Sequence, residues 1–433
     1  MRRPASDHTT PDPPVRTKNP NRGTATRGAG NRGTASRSAP TRSAANPSAV
    51  TPSPATPSPA NPGAPSRNGR SRSASDASVS AGTGRGRAAR DRGCVLVARL
   101  DDAGDVLLAG PAVRAVRTRA REVVFLAGPN GRAAAEVLPG VDRVITWDAP
   151  WIDHTPPPVT RKLVGDLADR LGGVDEAVLL TSFHQSALPL ALLLRLAGVA
   201  RISAISNDYP GSLLDVRHQV DESVDVPEAE RMLAVAEAAG FRLEDGDDGK
   251  LAVQRPLPDI AKFLGHCLGV GADAGKGAYV VVHPGTSAPA RTWSAESHRR
   301  TVKELAEDGH QVVVTGTERD LTAFVAADVA VDLGGVTTFA ELAAVIERAG
   351  VLVAGNTGPA HLAAAVGTPV VSLFSPVVPA ARWAPYGVPT VLLGDQRAPC
   401  RGSRARVCPV PGHPCLSQVT SEQVVKAVRE LTQ

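Results

Sequence analysis

Residues 351–374, VLVAGNTGPAHLAAAVGTPVVSLF, decide how this chain folds. An apolar run over 351–354 meets the polar turn Asn356-Thr357-Gly358-Pro359. A helix of small residues follows over 360–366, then Gly367-Thr368-Pro369, then a second apolar run over 370–374. Strand, turn, helix and strand in that order make one βαβ unit. Its polar turn lies at the carboxyl end of the first strand, where ligands of open α/β sheets bind. Thr357 is placed to N-cap the helix, and Pro359 suits the first turn because its missing N–H would be unpaired there anyway. Free backbone N–H groups and the helix dipole then point into the turn, a natural seat for phosphate. His361 leaves the same first turn. An ordinary capped helix of a Rossmann-like sheet carries the same signature, so the turn marks a site only in the company of others.

That company lies upstream. A second α/β series begins with a strand over 279–283 and continues through a helix over 295–308, a strand over 311–315, a helix over 320–327, a short strand over 330–332 and a helix over 338–348. An earlier series has strands over 94–100, 123–126, 141–147, 177–180 and 201–205, with helices over 106–117, 132–138, 160–171, 186–197 and 226–239. Alternation at this spacing predicts mostly parallel, doubly wound sheets. Residues 242–277 are irregular and rich in Gly, Asp and Pro, as an inter-domain crossing is. The stretch 376–414 has little pattern beyond a brief strand over 390–393, and 421–431 forms a last helix with Ser421 as N-cap. The predicted organisation is a domain over 91–262, a second over 275–420 and a terminal helix over 421–433.

Residues 1–90 are a different polymer, built from Pro, Ser, Thr, Ala, Gly, Asn and Arg. They hold 15 Lys and Arg against 3 Asp and Glu, so of the formal charge of +5 the tail carries +12 and the remainder −7. Such a segment cannot bury enough apolar surface to offset its ordering entropy, and it is predicted to be disordered. Its near-repeats NRGTATR (21–27) and NRGTASR (31–37) fit low-complexity sequence or a polybasic tether to anionic lipid. No aromatic stands among the arginines, which argues against nucleic acid. With no apolar run of signal-peptide or membrane-span length, the expected location is the cytoplasm, with contact at the inner face of the plasma membrane through the tail, and a monomer is expected. The five cysteines are then expected as reduced thiols. Cys400, Cys408 and Cys415 with His413 are spaced poorly for zinc, and thiol packing is the better reading.

Three loops at strand ends of the second domain carry matched chemistry. In His283-Pro284-Gly285-Thr286-Ser287-Ala288-Pro289-Ala290-Arg291, the hydroxyls of Thr286 and Ser287 and the planar fork of Arg291 are the parts a diphosphate needs. Glu318, after the next strand, can accept two sugar hydroxyls or cap a helix. Asn356, Thr357, Gly358 and His361 complete the set. No carboxylate cluster suited to Mg²⁺ stands in these loops, so no metal is expected. In the first domain Asp105 follows Gly104 at a helix start, either as a cap or as a general base for a substrate hydroxyl.

Five segments in this order, GDVLLAGPAVRAVR (104–117), HPGTSAPARTW (283–293), TGTERD (315–320), GNTGPAHLAAAVGTPVVSLFSP (355–376) and HPCLSQVTSEQVVKAV (413–428), resemble glycosyltransferase family 9, the ADP-heptose:lipopolysaccharide heptosyltransferases and their relatives. The resemblance runs from about Cys94 to the C-terminus. It implies a GT-B fold of two Rossmann-like domains facing a cleft. It also implies an inverting, metal-independent transfer of a sugar from a nucleoside-diphosphate sugar to a cell-envelope glycan or glycolipid. Asp105 would be the base. Thr286, Ser287 and Arg291 would contact the diphosphate, Glu318 the nucleoside, and Asn356, Thr357, Gly358 and His361 the sugar and phosphates. The nucleotide-sugar is a co-substrate, and no cofactor is implied. Arg291 stands where the characterised enzymes carry Lys, and Asn356 where they carry Asp, which removes a charge beside the sugar. A catalytically weak nucleotide-sugar binder, or a sugar-nucleotide epimerase or hydrolase on the same fold, is the alternative.

Overall fold

The structure, a computed structural model, describes residues 92–152, 155–264 and 277–433. The basic tail and Cys267 lie outside the described residues. Among the described residues two sheets, each of six strands, account for the strand content. The first contains β1 (Arg92–Arg99), β2 (Ala120–Ala127), β3 (Arg143–Thr146), β4 (Glu176–Leu179), β5 (Arg201–Ile205) and β6 (Val216–His218) in the order β3-β2-β1-β4-β5-β6. The second contains β7 (Val280–His283), β8 (Val312–Gly316), β9 (Val331–Gly334), β10 (Val351–Gly355), β11 (Val370–Leu373) and β12 (Thr390–Leu393) in the order β12-β11-β10-β7-β8-β9. Every pairing is parallel. The two α/β series are thus two Rossmann-like halves.

Parallel strands buried on both faces read as continuous apolar runs, and side chains alternate between the two faces. In β1, Val95 and Val97 join a cluster that includes Phe125, Met232 and Val235, whereas Leu96 and Ala98 join the opposite cluster with Leu190 and Leu194. The second sheet divides in the same way, Val281 to one side and Val280 and Val282 to the other. The cluster holding Val95 and Val97 also holds Val281, Ala354 and Leu362, so one apolar core is continuous between the two halves. The crossing segment adds Leu251 and Val253 to it, next to Phe241 just before it.

Three local expectations are corrected. The helix predicted over 106–117 is broken into Ala103–Leu108 and Gly110–Arg117. Pro111 has no N–H to continue the ladder, and the first helix closes with the Ala109 N–H on the Val106 carbonyl at 3.1 Å. The last helix, Ser421–Thr432, is capped by Thr420 rather than Ser421. Thr420 and Gln423 form a reciprocal capping box, and the Ser421 hydroxyl donates instead to Glu304 at 2.7 Å. Thr357 occupies the N-cap position of helix Gly358–Val366 in extended conformation, but its side chain makes no capping bond. The terminal helix packs Val424, Val425 and Val428 into the same cluster as Val280 and Val312, so it belongs to the packing of the second half.

Candidate active site

In the first sheet the chain moves outward from β1 to β3 and then restarts at β4 on the other side; in the second it moves from β7 to β9 and restarts at β10. Such reversals, between β1 and β4 and between β7 and β10, open crevices at the strands' carboxyl ends. The two crevices are brought together by their helices. A Cβ built on Gly104 would lie 2.7 Å from His361 Cδ2, and one built on Gly358 would lie 3.5 Å from Ala103 Cβ. The N-terminal turns of Ala103–Leu108 and Gly358–Val366 therefore touch across the interface.

Asp105 lies in the first turn of its helix, with its side chain about a quarter exposed (23 %). Its Oδ1 accepts from Arg99 Nη2 at 2.8 Å and from Trp383 Nε1 at 3.2 Å. Arg99 ends β1 and is fully buried. Its Nη2 also donates to Ser182 Oγ at 2.7 Å, and its Nε lies 2.9 Å from Asp101 Oδ2. Burial opposes the Arg99 charge, but Asp101 and Asp105 outweigh it and hold the guanidinium protonated. For Asp105, burial pushes the carboxyl up, while Arg99, the Trp383 N–H and His361 push it down; the net direction is below the ordinary range. Asp101 goes the other way, raised by burial despite Arg99. One carboxylate of this cluster is therefore held ionised, with one oxygen gripped.

The opposing half offers donors without partners. Arg291, at the end of a single 3-10 turn (Pro289–Arg291), is half-buried, and its Nε has no hydrogen-bond partner among the described residues. Nor does any carboxylate ion-pair with it among those residues; burial lowers its pKa, opposed by the fields of Asp105 and Asp102. Asn356 is buried, and its Nδ2 is unpartnered in the same sense. His361 is buried with Nδ1 unpartnered, and burial brings its pKa down to about 4, so the ring is neutral at pH 7. Gly355 closes β10 against the loop over 283–291: an added Cβ would lie 3.0 Å from Thr286 Cγ2 and 3.2 Å from the Arg291 carbonyl. The Arg291 turn is buttressed from behind. The Ala290 N–H donates to the Arg406 carbonyl at 2.9 Å, and His413 Nε2 lies 3.1 Å from the Ala290 carbonyl.

The remaining predicted residues are placed less centrally. Thr286 Oγ1 donates to the Ala288 carbonyl at 2.9 Å and lies 2.5 Å from Thr292 Oγ1, so its hydroxyl is engaged within the loop. Ser287 is exposed and donates across the interface to Asp102 at 3.4 Å. Thr357 and Gly358 are half-buried at the helix start. Glu318 is exposed at the end of β8, one strand beyond β7, and makes no capping bond to the helix it precedes. Cys400 and Cys415 are buried in the outer cluster of the second half, and Cys408 donates to the Val410 carbonyl at 3.4 Å. Among the described residues no group of three His, Cys, Asp or Glu is arranged to hold a metal ion.

Sequence reasoning passed over Arg99, Arg382 and Trp383. An arginine ending the apolar run CVLVA and followed by Asp101 and Asp105 is a readable signal, because a cation in a buried strand needs carboxylates nearby. Arg382 and Trp383 sit in a four-residue helix, Ala380–Trp383, and reach the other half, a contact with no local periodicity to reveal it.

Two Rossmann-like halves with facing crevices are the GT-B class, and solved structures of that class superpose on this chain. Heptosyltransferase II of E. coli does so with a TM-score of 0.56 at 18 % identity, covering 78 % of this chain and 98 % of that one. A glycosyltransferase family 9 protein from Veillonella parvula gives 0.61 at 19 %, covering 78 % and 97 %. Residues 166–412 match glycosyltransferase family 9 (heptosyltransferase), and the chain belongs to that family. Curated relatives include lipopolysaccharide heptosyltransferase 3 of Escherichia coli strain K12, 35 % identical over 105 residues, 22 % of this chain and 30 % of the relative. A second Escherichia coli protein described in the same words is 31 % identical over 164 residues, 35 % and 46 % of the two chains. The matches thus span less than half the length of these relatives.

Proposed function

We propose that the protein is an inverting, metal-independent glycosyltransferase that moves heptose or a related sugar from a nucleoside-diphosphate donor to a hydroxyl of a cell-envelope glycan or glycolipid. One observation carries the reading: a gripped, ionised carboxylate in one half faces unpartnered buried donors around a helix N-terminus in the other. The acceptor oxygen attacks the donor's anomeric carbon and gives its proton to Asp105 Oδ2. The bond from that carbon to the diphosphate breaks, and the configuration inverts because nucleophile and leaving group lie on opposite sides. Charge developing on the diphosphate is met by Arg291 and by the positive end of the helix that begins at Gly358. Ser287 and Thr286 line the diphosphate, Glu318 receives the nucleoside hydroxyls, and Asn356 and His361 read the sugar. Because Arg291 and the helix terminus neutralise the diphosphate, the reaction needs no divalent ion and survives EDTA.

The family supports this reading, and one structural relative, heptosyltransferase WaaC of E. coli, was solved with ADP-2-deoxy-2-fluoro heptose. On this reading the reaction takes place in the cytoplasm. Among the described residues no helix is long and apolar enough to cross a membrane. The test is a thermal-shift panel of nucleoside diphosphates and their sugars, followed by turnover of the best donor. A ligand at a hundred times its Kd stabilises the fold by about 2.7 kcal/mol. Asp105→Ala is expected to keep nucleotide affinity and lose a hundredfold to ten-thousandfold in turnover. Wild-type turnover in that variant would remove the base.

A further inference from the structure

The short helix Ala380–Trp383 belongs to the second half, yet its last two side chains are satisfied in the first. Arg382 is 2 % exposed. Its guanidinium pairs with Asp225 at 2.7 Å and Glu222 at 3.2 Å, lies 3.6 Å from Glu228, and donates to the carbonyls of Glu222 and Val224 at 3.0 Å each. It also stacks over the Phe183 ring at 4.7 Å, and Phe183 in turn lies 5.7 Å from the Trp383 ring. Phe183 directly follows Ser182, the residue that accepts from Arg99. Among the described residues these contacts leave the Trp383 indole one polar partner, Asp105 Oδ1.

We propose that Trp383 is a positioning residue for the base: it completes the grip on Asp105 only when the halves are closed, and Arg382 is the clasp that seats it. This rests on Asp105 being the base. With both Arg99 and Trp383 on Oδ1, the carboxylate cannot rotate, and Oδ2 alone is left to take the acceptor's proton. A base whose geometry is finished by the donor-binding half acts on an acceptor hydroxyl only in a closed molecule. Open molecules, in which water competes as nucleophile, hold the carboxylate by Arg99 alone.

The charged and titratable groups around Asp105 are Arg99, Asp101, His184, Glu228, Arg291 and His361. None is altered by Trp383→Phe, which keeps an aromatic ring beside Phe183 and removes the N–H together with the smaller ring of the indole. The experiment is a ¹³Cγ-aspartate NMR titration of the full chain, with the Asp105 signal assigned through Asp105→Asn. The loss of one hydrogen bond to the charged form is expected to raise the Asp105 midpoint by about one pH unit. Turnover of the donor selected above is expected to fall about tenfold at unchanged ADP affinity. An Asp105 titration identical to wild type overturns the proposal, even if turnover falls. So does a parallel loss of ADP affinity and melting temperature, which would make Trp383 merely structural. Arg382→Gln, which frees the clasp and keeps the indole, is expected to reproduce the higher midpoint; a wild-type midpoint there removes the clasp. Full turnover in Asp105→Asn would sink the base assignment while leaving the titration result intact.

Discussion

The two crevices are built alike and filled oppositely. At the end of β1, Arg99 is met at hydrogen-bond range by Asp101, Asp105 and Ser182. At the ends of β7 and β10, Arg291, Asn356 and His361 each keep a buried nitrogen without a partner. A fold tolerates an unpartnered buried polar group at a cost of about 1–3 kcal/mol. Three of them around one helix terminus make sense if a ligand supplies the partners. The first crevice sets its cation among carboxylates, although Arg99 Nε and Nη1 also lack a hydrogen-bond partner among the described residues; the second sets its cation where no carboxylate of the described residues pairs with it. Deleting a cation held by carboxylates of the first half should therefore harm folding, and deleting the unpaired Arg291 should harm binding.

The largest expected effect sharpens the contrast in charge. The second half keeps His283, His298 and His361 neutral, with burial bringing them down to about 4, about 3 and about 4. Unfolding releases them to titrate near 6.5, so below that pH the unfolded chain binds more protons and the native state loses stability as pH falls. Three such groups give a slope of about 4 kcal/mol per pH unit between roughly pH 6 and 4.5. Urea unfolding midpoints across that range measure it; a flat profile would show that these rings charge within the fold. Asp105 behaves differently. Its lowered value keeps its contribution present above the ordinary aspartate range, to be lost only at still lower pH.

Next comes Arg382→Met, which leaves Glu222, Asp225 and Glu228 facing one another without their shared cation. Breaking a buried ion pair from one side costs about 3–5 kcal/mol. Urea titration at pH 7 is expected to show that loss, with the ADP affinity of the remaining folded protein changed little. The smallest is the mirror image. Arg291→Ala is expected to leave the unfolding midpoint nearly unchanged and to weaken ADP binding by about 1.5–3 kcal/mol, read by calorimetry. If both variants lost stability and affinity together, the contrast between the crevices would be gone.

What was legible in the sequence follows the same division. Apolar runs with turn residues at their ends revealed the strands and the loops that bear Arg291, Glu318 and Asn356, because burial on both sheet faces and backbone chemistry are local. β6, three residues long, escaped because it is defined by pairing with β5 and not by its own composition. Thr357 looked like a cap because its residue type and position suit one, yet a rotamer is decided by what surrounds it. The grip on Asp105 was half visible. Arg99 stands six residues away in the chain, whereas Trp383 stands 278 residues away and meets it only through the closure of two domains.

Gly104 gives the last consequence. The only thing separating the polypeptides at that point is the hydrogen its side chain amounts to, since a methyl group there would come within 2.7 Å of the His361 ring. Alanine at this position is a doorstop: it adds nothing chemical, yet it props the jaws apart at the spot where the first turns of two helices, one from each half, meet. The spacing between the two halves is thus set by the smallest residue available.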